Sequence, residues 1–341
     1  RVASLHTNGL PAVSGLRSPM SADGPPVGEV DLGDLARALR GDGLWFDIGA
    51  TTIRVQSDAP ALPAQLHRVY GAFPFRPSGG WADLHCQLMR PTSVRRWLRP
   101  KVVFRCDGQH PFDPFPADSP LPLFEWGCNW MVGSRLNHLL LLHAGALERD
   151  GLALLLPALP GSGKSTLTAA LSQRGWRLLS DEFGAYDPSQ CGFRSMLKPV
   201  ALKNQSIDVI RRFAPNAVLG PSFPRTHKGT VAHLAAGPEA VARRGELVPA
   251  GAVLLPKWTE GAPLRMDRAQ PQSLFSSLAF NAFNYRVQGG LGFDAVVALA
   301  QHCPGWQLSY SNLDDAVAAI DALWTEVRAH HRAGHPARGT A

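Results

Sequence analysis

A glycine-rich segment in the middle of the chain carries the residues best suited to chemistry. Residues Ala158–Ser165 read ALPGSGKS, which fits the Walker A pattern except that alanine occupies the first glycine position. In that pattern successive backbone N–H groups surround the phosphates of a nucleotide, the lysine reaches the β- and γ-phosphate oxygens, and the serine ligates Mg²⁺. The segment therefore predicts a nucleotide site that uses ATP and Mg²⁺.

The sequence around this segment supplies the structural context that the pattern requires. An apolar run, Leu152–Leu156, predicts a strand before it, and Leu167–Gln173 has helical periodicity after it. A helix that starts inside the segment would also direct the positive end of its dipole at the phosphates. We expect the phosphates to be held by Gly161, Ser162, Gly163, Lys164, Ser165 and Thr166.

Two adjacent acids follow the next predicted strand. Trp176–Leu179 reads as a short strand, and Asp181 and Glu182 come directly after it, 17 residues beyond Lys164. Ligands of open α/β sheets bind at the carboxyl ends of the strands. Spacing this short suits kinases in which a carboxylate near the acceptor hydroxyl acts as a base, as a magnesium ligand, or as both.

Lysine usage also draws attention to this part of the chain. Of the 34 basic residues only six are lysine, and Lys164, Lys198, Lys203 and Lys228 fall within one 65-residue stretch. A lysine kept where arginine is otherwise preferred provides a compact ammonium that a guanidinium does not imitate. The clustering draws attention to this region but by itself assigns no role to any of the four lysines.

Composition limits the classes of protein that the chain can represent. Hydrophobic residues make up 45% of the 341 residues, enough for a sizeable core, and no apolar run approaches the roughly 18 residues that span a bilayer. The net charge of +7 is scattered through apolar sequence, so neither nucleic-acid binding nor membrane insertion is expected. Five widely spaced cysteines without a Cys-x-x-Cys pair indicate reduced thiols and a cytoplasmic location.

Turn signals divide the chain into two predicted domains. Residues 1–27 predict a disordered or wrongly included leader, and residues 28–136 predict a small α+β domain for docking or assembly. This domain includes a hairpin of Leu44–Ile48 with Thr52–Val55, further strands at Asp83–Leu88 and Val102–Cys106, and a closing helix, Phe124–Arg135. Residues 137–328 predict the catalytic domain, and residues 329–341 a disordered tail.

Several motifs in this order resemble the catalytic domain of HPr kinase/phosphorylase, and most closely the proteins called HprK-related kinase A. They are the His143 hairpin, the ALPGSGKS loop, the strand ending in Asp181–Glu182, and downstream segments such as Lys228–His233 and Tyr310–Asp314. The resemblance covers roughly residues 137–325. It implies an α/β P-loop kinase domain of the HPr kinase and phosphoenolpyruvate carboxykinase type, preceded here by the smaller α+β domain.

The resemblance also implies roles for individual residues. Asp181 would be the general base toward an acceptor hydroxyl, Glu182 would ligate magnesium together with Ser165, and His143 would orient Asp181 and favour its charged form. Lys203 and Lys228 would neutralise charge on the transferring phosphoryl group, because that transition state is stabilised mainly by positioned cations.

This reading predicts an ATP-dependent kinase that phosphorylates a hydroxyl, most simply a serine of a protein or peptide encoded nearby, and that forms a homo-oligomer. The sequence departs from the family at Glu182, where the family has aspartate, and at Arg194–Lys203, where a glutamate-containing signature is not apparent. Two alternatives remain open. One is a kinase of small hydroxylated molecules, and the other is a nucleotide-binding regulatory or assembly protein without transferase activity.

Overall fold

Alternating apolar and polar residues build the first sheet. The structure, a computed structural model, describes residues 24–92 and 100–334. Strand β1 (Leu44–Asp47) pairs antiparallel with β2 (Thr52–Ser57), which confirms the predicted hairpin. Every second residue of β2 is buried, so one face of the sheet packs against a core.

Three more strands and three helices complete this first part. The strands predicted near residues 83–88 and 102–106 are confirmed as β3 (Leu84–Met89) and β4 (Lys101–Arg105), and the sheet order is β1-β2-β3-β4-β5 with β5 at Phe115–Pro116. The helices are α1 (Leu32–Arg40), α2 (Leu62–Val69) and α3 (Pro120–Arg135). The predicted closing helix is thus confirmed, whereas α2 was not anticipated.

The second part of the chain alternates strands and helices. Its strands are β6 (Leu140–Arg149), β7 (Leu152–Pro157), β8 (Arg177–Ser180), β9 (Phe183–Asp187), β10 (Gly192–Arg194), β11 (Val200–Lys203), β12 (Phe223–Thr226), β13 (Gly229–Leu234), β14 (Leu247–Trp258), β15 (Arg265–Arg268) and β16 (Gly305–Tyr310). Its helices are α4 (Lys164–Ser172), α5 (Gln205–Phe213), α6 (Pro238–Ala242), α7 (Pro271–Phe280), α8 (Tyr285–Gln288), α9 (Gly290–His302) and α10 (Leu313–Gly334). The described chain is therefore mixed α/β, as expected.

Both ends of the described chain are more ordered than the sequence suggests. Residues 1–23 of the predicted leader lie outside the described residues, but Pro26 bridges Pro74 and Val27 is only 1% exposed. The leader prediction is therefore wrong for residues 24–27. The disordered-tail prediction is likewise wrong for residues 329–334, which belong to α10; there His331 Nε2 lies 2.8 Å from the Gly251 carbonyl oxygen. Residues 335–341 lie outside the described residues.

The direction of the strands in the larger sheet determines where its functional edge lies. The order is β10-β9-β6-β7-β14-β16-β15, and β8 also pairs with β6. Strands β7, β14 and β16 are parallel, while β6 is antiparallel to both β7 and β8. The carboxyl ends of β8, β7, β14 and β16 therefore meet at one edge of the sheet, the edge that binds ligands in α/β proteins.

A small antiparallel sheet brings two lysines to one place. Its order is β11-β13-β12, with Lys203 paired to Val231 at the end of β11. Lys228 lies in the turn between β12 and β13. Because β11 and β13 are antiparallel, the end of β11 and the start of β13 coincide, so both lysines lie at the same end of this sheet.

One cluster of buried apolar side chains draws on both parts of the chain. It includes Phe46 and Phe124 from the first part and Leu141 and Leu167 from the second. The division into domains at residues 136 and 137 stays a prediction. Within residues 24–92 and 100–334, no helix combines the length and the apolar character needed to cross a membrane.

Candidate active site

The glycine-rich loop joins a buried strand to a buried helix. The last five residues of β7 are buried, and so are Leu167–Leu171 in α4, so both elements are held firmly by the core. Gly161 and Gly163 have φ values of +87° and +86°, a left-handed conformation that favours glycine. Gly163 is the N-cap of α4 and provides no side-chain cap, so backbone N–H groups of the first helical turn stay available to a ligand.

The two loop glycines make a matched pair for testing this geometry. A Cβ on Gly163 would lie 2.8 Å from both Trp258 Cβ and the Tyr310 hydroxyl oxygen, whereas a Cβ on Gly161 would meet nothing within 4 Å. Gly161→Ala should lower the free energy of unfolding by about 1–2 kcal/mol through backbone strain alone. Gly163→Ala should lose a further 1–3 kcal/mol, roughly, through overpacking. Urea unfolding of both variants measures the difference, and equal losses would contradict the close packing of Gly163.

Lys164 is held by the first of the two acids. Its ammonium donates hydrogen bonds to the backbone oxygen of Asp181 and, at 3.2 Å, to the Asp181 carboxylate. Both side chains are almost fully buried. The end of β8 therefore fixes the position of Lys164, and the Asp181 carboxylate is already paired with the Lys164 ammonium.

The second acid faces the histidine. His143 Nδ1 lies 3.6 Å from Glu182 Oε1, and both side chains remain partly exposed. The sequence-based expectation that His143 orients Asp181 therefore needs correction, because the break between β8 and β9 directs the two neighbouring carboxylates to different partners. Asp181 contacts Lys164, and Glu182 contacts His143.

The surroundings shift the pKa values of this second pair downward. Burial and the nearby Lys164 ammonium lower the pKa of His143, and they outweigh the opposing effect of Glu182. Burial alone would raise the pKa of Glu182, but the positive charge of Lys164 and the proximity of His143 lower it overall. At neutral pH the site therefore holds a neutral imidazole beside an ionised carboxylate.

Titration of His143 can test this electrostatic description. We expect a pKa below the ordinary value of 6.5, measured by NMR with His143→Gln to assign its signals among the 12 histidines. Lys164→Met should raise that pKa, because it removes a positive charge, and Glu182→Gln should lower it, because it removes a negative one. Shifts in the same direction for both variants would contradict the arrangement.

Lys203 and Lys228 reach the same cavity from the small sheet. Burial and the nearby Lys228 ammonium lower the pKa of Lys203, and Lys228 Nζ lies 5.9 Å from the centre of the Trp126 ring. Lys198, by contrast, is buried and donates hydrogen bonds to Glu125 Oε2 and Asn129 Oδ1. Lys198 therefore forms a buried ion pair with Glu125 and does not line the cavity.

One cavity of about 900 Å³ collects nearly all of the predicted site residues. Its wall includes His143, Gly161, Ser162, Gly163, Lys164, Ser165, Thr166, Glu182, Lys203 and Lys228. Asp181, which is 7% exposed, is the predicted residue that does not reach the wall. The chain thus brings three lysines, the Glu182 and Asp314 carboxylates and the glycine-rich loop together around a single space.

Other residues on this wall were given no site role from the sequence, although the segment Tyr310–Asp314 contributed to the family resemblance. Trp258 ends β14, Tyr310 ends β16, and Ser311, Asn312 and Leu313 follow β16. For Trp258 a signal was present, because the apolar run Ala252–Leu255 precedes it. Pairing that run with the loop strand, however, required the long-range order of the sheet.

The donor set fits a nucleotide better than a metal held by protein alone. Ser162 Oγ, in the glycine-rich loop, is buried and has no hydrogen-bond partner in the structure. Within residues 24–92 and 100–334, no group of three or more histidine, cysteine, aspartate or glutamate side chains could hold a metal ion. Magnesium sites in nucleotide enzymes need few protein ligands, because phosphates and water complete the shell. Ser165 would supply a hydroxyl ligand on the protein side.

Comparison with known proteins adds a distant likeness. No protein-family model and no curated protein matches the chain. Among solved structures it is similar to the HPr(Ser) kinase/phosphatase from Coxiella burnetii, with 13% identity and a TM-score of 0.22. That likeness covers 55% of this chain and 98% of the other. At this TM-score the likeness decides neither fold nor activity.

Proposed function

We propose that the protein is an ATP- and Mg²⁺-dependent kinase that transfers a phosphoryl group to a hydroxyl, built on a P-loop kinase domain. The observation that carries the proposal is the convergence of the glycine-rich loop, Lys164, Lys203, Lys228 and Glu182 on one cavity at the carboxyl edge of the sheet. Phosphoryl transfer depends mainly on positioned cations and on orientation of the reactants. A structural glycine-rich turn would not need three lysines around it.

The loop residues would bind the triphosphate. The N–H groups at the start of α4 and the unpartnered Ser162 hydroxyl are donors that phosphate oxygens can satisfy. Lys164 would contact the phosphates while Asp181 keeps it in place. When bound, Mg²⁺ would neutralise phosphate charge, and Ser165 would hold it together with phosphate oxygens and water.

The two carboxylates would have different tasks from those expected by resemblance. Asp181 is engaged by Lys164, whereas Glu182 lines the cavity and is kept ionised by its neighbours. We therefore assign to Glu182 the acceptance of the proton from the acceptor hydroxyl, and to Asp181 the positioning of Lys164. Neutral His143, 3.6 Å from Glu182, would keep that carboxylate oriented.

An apolar surface beside His143 supports a polypeptide acceptor. The Phe283 ring packs edge-on against the His143 ring with centroids 5.6 Å apart. Other large apolar side chains are exposed on the neighbouring helices α7, α8 and α9, of which α7 and α8 pack against α9: Phe280, Val287, Leu291 and Phe293. Exposed apolar groups mark interaction sites, and a small hydroxylated molecule would cover few of these side chains. A serine within an apolar peptide segment fits better.

The decisive experiment uses radiolabelled ATP. The full chain is incubated with Mg²⁺, γ-labelled ATP, a serine peptide library with apolar or polar flanking residues, and separately with small hydroxylated compounds. We expect label on serine peptides with apolar flanks. Label on small compounds alone would reassign the acceptor, and ATP binding without transfer to any of them would favour the regulatory alternative.

A further inference from the structure

The sheet order gives the cavity two chemically different sides. His143 lies in β6 and Glu182 lies between β8 and β9, on one side of the loop strand β7, whereas Trp258 and Tyr310 end β14 and β16 on the other side. The first side carries charge. The second combines the rings of Trp258 and Tyr310 with polar groups of the segment after β16, including the Asp314 carboxylate, and the proposed transfer chemistry does not use it.

Trp258 is held rigidly on this second side. Its backbone N–H donates to the Ser162 carbonyl oxygen at 2.9 Å, and its indole N–H donates to the Ser311 carbonyl oxygen at 3.1 Å. The side chain is nevertheless 43% exposed and lines the cavity. A tryptophan with its polar atom satisfied and its ring exposed beside a phosphate loop is a ready stacking surface.

The neighbours of Trp258 suit a flat heterocycle. Leu159 in the loop and Leu313 at the start of α10 line the same cavity. Asn312 Oδ1 accepts the Asp315 backbone N–H at 3.1 Å, so the amide hydrogens of Asn312 are the part of that side chain suited to a ligand acceptor atom. Apolar side chains with one hydrogen-bond donor beside them match the flat faces and the polar edge of a nucleobase.

We infer that Trp258, Leu159, Leu313 and Asn312 form the nucleobase subsite, with the base stacked on the Trp258 ring. This inference rests on the proposed function and adds the orientation of the nucleotide. The triphosphate runs from this subsite across the glycine-rich loop toward Lys203 and Lys228. The acceptor hydroxyl then approaches from the side of Glu182 and His143.

Calorimetric binding of ATP and of inorganic tripolyphosphate separates the base from the phosphates. Trp258→Leu should weaken ATP binding by about tenfold or more, since base stacking on an aromatic ring is worth roughly 1–3 kcal/mol. Its affinity for tripolyphosphate should stay within about twofold of wild type. Trp81→Leu, which alters an 83% exposed tryptophan away from the cavity, is the matched control and should change neither affinity.

Each outcome has a distinct meaning. Equal losses for ATP and tripolyphosphate, or an unchanged ATP affinity in Trp258→Leu, would overturn the subsite. Wild-type protein that binds neither ligand would instead remove the proposed function. Circular dichroism checks folding, and if Trp258→Leu does not fold, Trp258→Phe takes its place. The smaller ring should reduce ATP affinity measurably and leave tripolyphosphate binding unchanged, and a Phe variant without that selectivity would also count against the subsite.

Discussion

Lys164→Ala should lower the rate of phosphoryl transfer by at least about 10²–10³-fold, the loss typical of removing one positioned donor from a preorganised site, and should weaken ATP binding by about 10–100-fold. The ammonium lies between the loop and the end of β8, where the Asp181 carboxylate and backbone oxygen hold it. Its replacement by a methyl group removes the cation from the phosphate path. Calorimetry with ATP and the labelled-ATP assay measure the two effects separately.

The same substitution has a structural cost that needs its own control. Lys164 and Asp181 form a buried ion pair, and removal of one partner from such a pair costs about 3–5 kcal/mol because the other charge is left uncompensated. The double variant Lys164→Met with Asp181→Asn removes both charges and keeps the volume, so it should recover most of the stability and none of the activity. Normal turnover by either variant would contradict the phosphate-loop assignment.

Local sequence signals were sufficient for the part of the site that is local in the chain. The loop, the strand before it and the helix after it lie within about 20 residues, and their residue types dictate their geometry. Gly161 and Gly163 adopt the left-handed backbone that glycine favours. The strand ending at Ser180 was predictable in the same way, because its apolar residues are contiguous.

Which site residues contact each other depends on pairing between strands distant in the chain, and reasoning from the sequence did not predict these contacts. Asp181 and Glu182 are adjacent, yet a break in the pairing with β6 sends one to Lys164 and the other to His143. Trp258 reaches the loop because β14 pairs in parallel with β7, roughly 100 residues earlier in the chain. Parallel pairing depends on the global sheet order, which apolar runs alone do not encode.

The ends of the described chain show a second limit. Pro26 and Val27 lie in a segment that contains several glycine, proline and polar residues, so the sequence predicts disorder there. In the structure the Val27 backbone N–H donates to the Phe73 carbonyl oxygen. Residues 329–334 extend α10 beyond the last strong apolar period. In both places tertiary contacts stabilise segments with weak local preference.

Glu182→Gln and Asp181→Asn together decide which carboxylate accepts the proton. Each change keeps the side-chain shape and removes the charge. If Glu182 is the base, Glu182→Gln should lower kcat by roughly 10²–10⁴-fold, the usual contribution of general base catalysis, with ATP affinity largely preserved. Asp181→Asn should lower kcat far less, since Lys164 keeps its hydrogen bond to the Asp181 backbone oxygen.

A magnesium titration separates proton transfer from metal binding in the same two variants. A base that is missing cannot be replaced by more metal, so the kcat of Glu182→Gln should stay low at saturating Mg²⁺. Recovery of activity at high Mg²⁺ would return Glu182 to the role of metal ligand implied by the family resemblance. A larger kcat loss in Asp181→Asn would make Asp181 the base and leave Glu182 to orient His143.

The pH dependence of kcat gives a further check on Glu182. Because its pKa is lowered, Glu182 should stay ionised in the wild-type enzyme down to pH values below its ordinary pKa of 4.5. A loss of kcat from protonation of this carboxylate at a higher pH would contradict the assignment.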